Sequence, residues 1–218
     1  SSKSLIKFFF DINSPYSYVG FEILSRLHAR HSSALAVQWT PVRIPAIFRK
    51  VNANSPFVAV PEKTAHLEID LRRQSAYYGI EMRVPEAAHV SSFLKMGNTV
   101  AAQRLIVAAG DEEGGERLIS FIRALFARMW RDHRPIHEDA HLEEVLSSLH
   151  ISPTTASSLI DKSKTAEVKQ RFIDNTQEAI DDGAFGLPWM KVYRPNEVSH
   201  ESFFGSDRFH LIEKHLGL

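Results

Sequence analysis

Residues 5–30 read LIKFFFDINSPYSYVGFEILSRLHAR, and the change of rhythm inside this stretch decides the fold. Residues 5–11 are short, apolar and aromatic-rich, which predicts a buried strand. The run stops at Asn13-Ser14-Pro15. Ser14 suits a helix N-cap, and Pro15 suits the first helical position, where its missing N–H would have no partner anyway. Val19, Phe21, Ile23, Leu24 and Leu27 then recur at helical spacing to about Arg30. A second strand is expected over residues 35–42, so the chain opens β-α-β with its first helix beginning at Ser14-Pro15.

Working outward, residues 44–61 are rich in Asn, Ser and Pro and are expected to form a loop. From there to about Asp182 the pattern is almost wholly helical, with helices expected over 62–78, 98–109, 113–130, 137–149, 153–160 and 165–182. β signals return after Gly183: residues 189–193 and 199–204 flank Arg194-Pro195-Asn196 as a hairpin, followed by a helix over 206–215 with Ser206 as its cap. Strands at both ends with helices between imply one interrupted sheet, because two isolated strands at either end could not stand alone. The expected class is α/β, resembling a thioredoxin-like fold with an inserted all-helical domain. Residues 1–55 and 183–218 would form the thioredoxin-like part and 56–182 the insertion.

The chain has 218 residues, enough to bury a core without staples, and no cysteine. Disulfides, Cys-ligated metals, a cysteine nucleophile and a Cys-x-x-Cys redox pair are thereby excluded, and any thiol must come from a ligand. Lys plus Arg number 26 against 26 Asp plus Glu, a balance that argues against a dedicated nucleic-acid binder. The apolar run 118–130 is broken by Ser120, Arg123 and Arg128, so no membrane span is expected. Ser1-Ser2-Lys3-Ser4 leads straight into the first strand, so no signal or transit peptide is expected within these residues.

Three segments are candidate sites, each with a plain structural reading beside it. Ser14-Pro15-Tyr16-Ser17 is either an ordinary helix cap or a place where N–H groups and the helix dipole stabilise a thiolate. Gly183-Ala184-Phe185-Gly186-Leu187-Pro188 is either a trans-proline loop or, given the β-α-β opening, a cis-proline loop facing that helix start. There the backbone before the proline could pair with a peptide-like ligand. Gly205-Ser206-Asp207-Arg208 is either a capped helix or a site for an α-amino acid head, with Ser206 and helix N–H groups on the carboxylate and Asp207 on the ammonium. His137-Glu138-Asp139-Ala140-His141 matches the zincin pattern H-E-x-x-H, but Pro135 puts it at a helix start and there is no supported third ligand, so no metal is expected.

Taken together in this order, these segments resemble the kappa-class glutathione transferases, in the superfamily that also holds 2-hydroxychromene-2-carboxylate isomerases and DsbA-type oxidoreductases. The resemblance spans essentially the whole chain. It implies glutathione as co-substrate and Ser14 as the hydroxyl that hydrogen-bonds its sulfur, with Pro15 and Tyr16 beside it. It also implies Leu187, next to Pro188, as the main-chain partner of the cysteinyl part, and Ser206 and Asp207 at the γ-glutamyl head. Asn54 and Lys63 fall near the glycyl end, with Asn52 a rival to Asn54.

The implied activity is conjugation of glutathione to a small electrophile or reduction of a peroxide, as in detoxification. A glutathione-dependent isomerase and a non-catalytic glutathione or peptide-binding module are the alternatives. The resemblance implies a homodimer in mitochondria or peroxisomes; the C-terminal His-Leu-Gly-Leu is not an S-K-L-type signal, which favours mitochondria. The electrophile would sit against the helical insertion and the segment after Pro56, where Phe57, Met96 and Trp130 either line a pocket or fill a core.

Overall fold

The computed structural model describes residues 2–55, 60–85, 97–110 and 115–218. Pro56, Phe57 and Met96, named above, lie outside the described residues. The order is β1 (Ser4–Phe10), α1 (Pro15–Arg30), β2 (Leu35–Pro41), α2 (Ile44–Lys50), α3 (Pro61–Tyr78), α4 (Val100–Ala109), α5 (Glu116–Trp130), α6 (Asp139–Ser148), α7 (Pro153–Ser163), α8 (Ala166–Asp181), β3 (Trp189–Tyr193), β4 (Glu201–Phe204) and α9 (Phe209–Leu216). The four strands form one sheet in the order β2-β1-β3-β4, with β1 parallel to β2 and antiparallel to β3. Strands 180 residues apart in sequence are therefore direct neighbours, as the interrupted-sheet reading requires. The chain has the thioredoxin-like α/β fold with a helical insertion.

The apolar run of β1, interrupted by Lys7, is explained by burial on both faces. Ile6, Phe8 and Phe10 enter the large core with Phe21, Phe126 and Trp130, whereas Phe9 points into a smaller one with Val42, Ile47, Leu187 and Trp189. The large core joins sheet and insertion: the Tyr18 ring stacks on Phe126 at 5.0 Å between centroids, with 6° between planes. Trp130 is fully buried and its indole N–H donates to Ile12 O at 2.6 Å, so it fills core. No helix among the described residues is long and apolar enough to cross a membrane.

Two local expectations are corrected. Residues 44–50 form a helix, not a loop, because the decisive partners are distant in sequence. Asp11 Oδ2 accepts the Ile44 N–H at 2.9 Å, and Ile44 and Ile47 bury against Phe9 and Val42. The Asn- and Ser-rich turn begins only at Asn52, whose φ is 53°. The last helix starts at Phe209 rather than Ser206, with Arg208 at its N-cap. Ser206 is instead buried, its hydroxyl donating to Gln74 Oε1 at 3.0 Å.

Candidate functional site

Ser14 occupies the junction between β1 and α1 as the sequence predicts. Its Oγ accepts the Ser17 N–H at 3.1 Å, which caps α1, and Pro15 follows in the first turn. The Ser14 N–H donates to Asp11 O at 2.9 Å, so the residue is held from both sides. The hydroxyl's remaining contact is long, 3.5 Å to Leu187 O, and so leaves its proton weakly engaged. Ser14 lies at a helix N-terminus with a donor to offer, the chemistry that favours an anion or thiolate.

Leu187-Pro188 is a cis peptide, and the loop before β3 lies against the start of α1. The close approach depends on Gly20: a Cβ there would stand 3.0 Å from Pro188 Cγ and 3.3 Å from the Phe8 ring. Gly20→Ala is therefore expected to destabilise by about 1–2 kcal/mol, an overpacking cost of about 1–3 kcal/mol offset by the ~1 kcal/mol that Ala gains over Gly inside a helix. Thermal denaturation reads this as a lowered melting temperature, and an unchanged one would mean that the Pro188 loop yields freely.

Asp182 secures that loop at both ends. Its carboxylate accepts from the Trp189 indole at 2.7 Å, from Ser202 Oγ at 2.6 Å and pairs with His200 Nε2 at 2.6 Å. Burial pushes its pKa up, but these hydrogen bonds and the His200 charge outweigh it and hold the carboxyl below its ordinary value. A depressed folded-state pKa means stability present above the ordinary carboxylate range and lost as pH falls through the folded value. The stability gap between wild type and Asp182→Asn should accordingly be full near neutrality and close in acid, measured by urea denaturation across pH. A gap independent of pH would show that the charge of Asp182 contributes nothing.

Ser14, Pro15, Tyr16, Asn54 and Leu187 line one cleft of about 610 Å³, within the range of small-molecule sites. Asn52 is not among its lining residues; Pro188 lies buried behind it. Lys63 stands exposed in the first turn of α3 and does not line the cleft either. Ser206 and Asp207 are joined to it indirectly. Tyr16 Oη donates to Asp70 Oδ2 at 2.7 Å, Gln74 Nε2 donates to the same oxygen at 2.7 Å, and Gln74 Oε1 receives Ser206 Oγ. Burial, the hydrogen bond to Asp70 and the charges of Asp70 and Asp207 all push the Tyr16 phenol up, so it stays a neutral donor. Asp207 is exposed and pairs with Arg208 at 2.6 Å.

Sequence reasoning missed Asp70 and Gln74. Their only signal is a polar pair four residues apart on α3, which is common on solvated helix faces. It also missed Asp11, which lies 1% exposed beneath the site and accepts from Thr99 Oγ1 at 2.6 Å, Asn13 N at 3.0 Å and Ile44 N. The H-E-x-x-H segment does not form a helical metal pair. His137 precedes α6, and His141 Nδ1 accepts the Glu138 N–H at 3.3 Å as part of that helix's cap. Among the described residues no group of three His, Cys, Asp or Glu side chains is gathered as a metal site.

Comparison with known proteins shows the family and the fold. Residues 5–217 match the family described as DSBA-like thioredoxin domain. The chain is 31% identical to "Glutathione s-transferase kappa 2" of Caenorhabditis elegans, covering 95% of this chain and 89% of that one. It is also 31% identical to "Glutathione S-transferase kappa 1" of Homo sapiens, over 97% and 90%. A solved structure of 2-hydroxychromene-2-carboxylate isomerase superimposes with a TM-score of 0.76 at 20% identity, covering 98% of this chain and 94% of that one.

Proposed function

Because the chain belongs to the kappa-class glutathione transferases, within the DsbA-like thioredoxin family, we propose that it binds glutathione along the cis-proline loop and activates the thiol at Ser14. The supporting observation is the Ser14 hydroxyl itself. It caps α1, lies in the cleft beside Leu187 O, and has a proton engaged by only a 3.5 Å contact. In this reading the main chain of Leu187 pairs with the cysteinyl unit, while Pro15 and Tyr16 shape the floor and Pro188 supports Leu187 from behind. Asn54 and Lys63 serve the glycyl end, and Ser206 and Asp207 the γ-glutamyl head. A homodimer, and residence in mitochondria or peroxisomes, belong to the same proposal and rest on the family alone.

A free cysteine-type thiol has a pKa near 8.5, so about 3% is thiolate at neutral pH. The Ser14 hydroxyl and the helix N-terminus favour the charged form. A fall of two units corresponds to about 2.7 kcal/mol of preferential thiolate binding. The proton leaves to solvent, and the sulfur lone pair attacks an electrophilic carbon. A C–S bond forms as the C–halide bond breaks, and halide departs with the bonding pair. With a peroxide, sulfur attacks one oxygen and the O–O bond breaks; the alkoxide takes a proton to leave as alcohol. A second glutathione then displaces water from the sulfenic acid to give the disulfide. Ser14 acts throughout as a hydrogen-bond donor.

The test adds glutathione to purified protein and follows ultraviolet thiolate absorbance with pH, then assays an aryl halide against a hydroxychromene carboxylate. Thiolate at neutral pH with aryl conjugation supports the reading. Isomerisation without conjugation assigns the isomerase alternative, and binding without thiolate assigns a non-catalytic module.

A further inference from the structure

Asn13 stands one residue before Ser14, a place where Asn is ordinarily a turn former whose side chain bonds nearby backbone. Here the side chain does not. The Asn13 N–H donates to Asp11 Oδ1 at 3.0 Å, which fixes the backbone, but the side-chain amide has no hydrogen bond among the described residues. Its Oδ1 is buried and unpaired, while the residue as a whole is half-buried and lines the cleft with Ser14, Pro15 and Tyr16. The two ends of a carboxamide diverge from one carbon, so an oxygen turned into the protein leaves the NH2 as the open end.

The start of α1 is short of donors for an anion. Pro15 has no N–H, the Ser17 N–H goes to Ser14 Oγ and the Tyr18 N–H to Ser14 O at 3.2 Å, which leaves the Tyr16 N–H and the Ser14 hydroxyl. Resting on the glutathione reading above, we propose that Asn13 is a further catalytic residue, whose amide NH2 donates to the glutathione sulfur together with the Ser14 hydroxyl. Neighbouring Cα atoms are about 3.8 Å apart, so side chains of residues 13 and 14 that enter one cleft can share one sulfur. A donor bonds a thiolate more strongly than a thiol, so the thiol pKa falls. The unpaired Oδ1 follows from holding the NH2 outward, and it destabilises the fold.

The experiment titrates the ultraviolet thiolate absorbance of bound glutathione with pH in wild type, Asn13→Leu and Asn13→Ala. It also measures kcat for an aryl chloride, glutathione affinity and melting temperature. Leu keeps the volume and removes both polar ends. Its thiol pKa is expected to rise by about 0.5–1 unit, its kcat to fall about three- to tenfold, and its melting temperature to hold or rise because the unpaired oxygen is gone. Asn13→Ala adds no bulk and repeats the test should Leu not fit; its shift has the same sign and is smaller, because water enters in place of the amide. A thiol pKa within about 0.2 unit of wild type in both variants overturns the proposal. If that unmoved pKa comes with a lowered melting temperature, Asn13 is a turn residue; if with weaker glutathione affinity, it contacts the peptide part. Wild type that binds glutathione without forming thiolate removes the underlying reading and this role with it, whereas thiolate in wild type and an unmoved pKa in the variants removes the role of Asn13 alone.

Discussion

Ser14→Ala is expected to lower kcat for conjugation by about 100-fold, the scale on which one donor to a developing anion matters in a dry site. The peptide-like parts of glutathione do not depend on this hydroxyl, so glutathione affinity should change little. The bound thiol should titrate about 1–2 units higher than in wild type, because one of the groups favouring the thiolate is gone and the helix N-terminus remains. The variant also loses the cap bond to the Ser17 N–H, which costs about 0.5–2 kcal/mol and lowers the melting temperature by several degrees without unfolding the chain. Ser14→Thr retains a hydroxyl and a cap and should recover much of both. Rapid mixing and a pH titration of thiolate absorbance read the two effects separately. Full conjugation by Ser14→Ala would remove the role given to that hydroxyl.

Asp11→Ala should be the most destabilising single change at the site. Its carboxylate satisfies two backbone N–H groups and the Thr99 hydroxyl, all in a setting where Asp11 is 1% exposed. Leaving three donors buried without a partner costs about 4 kcal/mol, a large part of the 5–15 kcal/mol typical of a domain. Urea denaturation measures it; a loss under about 1 kcal/mol would show that the joint relaxes and finds other acceptors.

The pH dependence has a definite sign. Burial pushes the Asp11 carboxyl up, outweighing its hydrogen bonds and the Arg43 charge, so its folded-state pKa lies above the ordinary 3.8. The folded protein then binds the proton more readily than the unfolded chain. That contribution is complete below pH 3.8 and is lost as pH rises through the folded value. Relative to the non-titrating Asp11→Asn, wild type should therefore hold its greatest advantage in acid, the reverse of the trend expected for Asp182→Asn.

Much of the fold could be read along the chain because its signals are local. The α1 boundaries follow from Ser14-Pro15 at one end and the spent apolar face at the other, and α3 stops at Gly79, whose φ of 60° suits the helix end. Helix α2 was not readable, because its first N–H is satisfied by a carboxylate 33 residues earlier. The start of α9 was misread for a related reason. Ser206 has the side chain of a cap, yet Gln74, 132 residues away, takes its proton.

The sequence alone determined that this protein has no sulfur chemistry of its own outside methionine, since it contains no cysteine, and that a hydroxyl stands at the start of its first helix. It also determined the order of strands and helices apart from α2, because periodicity, caps and turns act over a few residues. Tertiary structure alone decided which distant groups meet. It set Leu187 O against Ser14, linked Tyr16 through Asp70 and Gln74 to Ser206, and laid Phe204 on the bare backbone of Gly186. Hydrogen bonds and ring contacts of this kind depend on distance in space, and pairing β1 with β3 closes a separation of about 180 residues that no local pattern encodes.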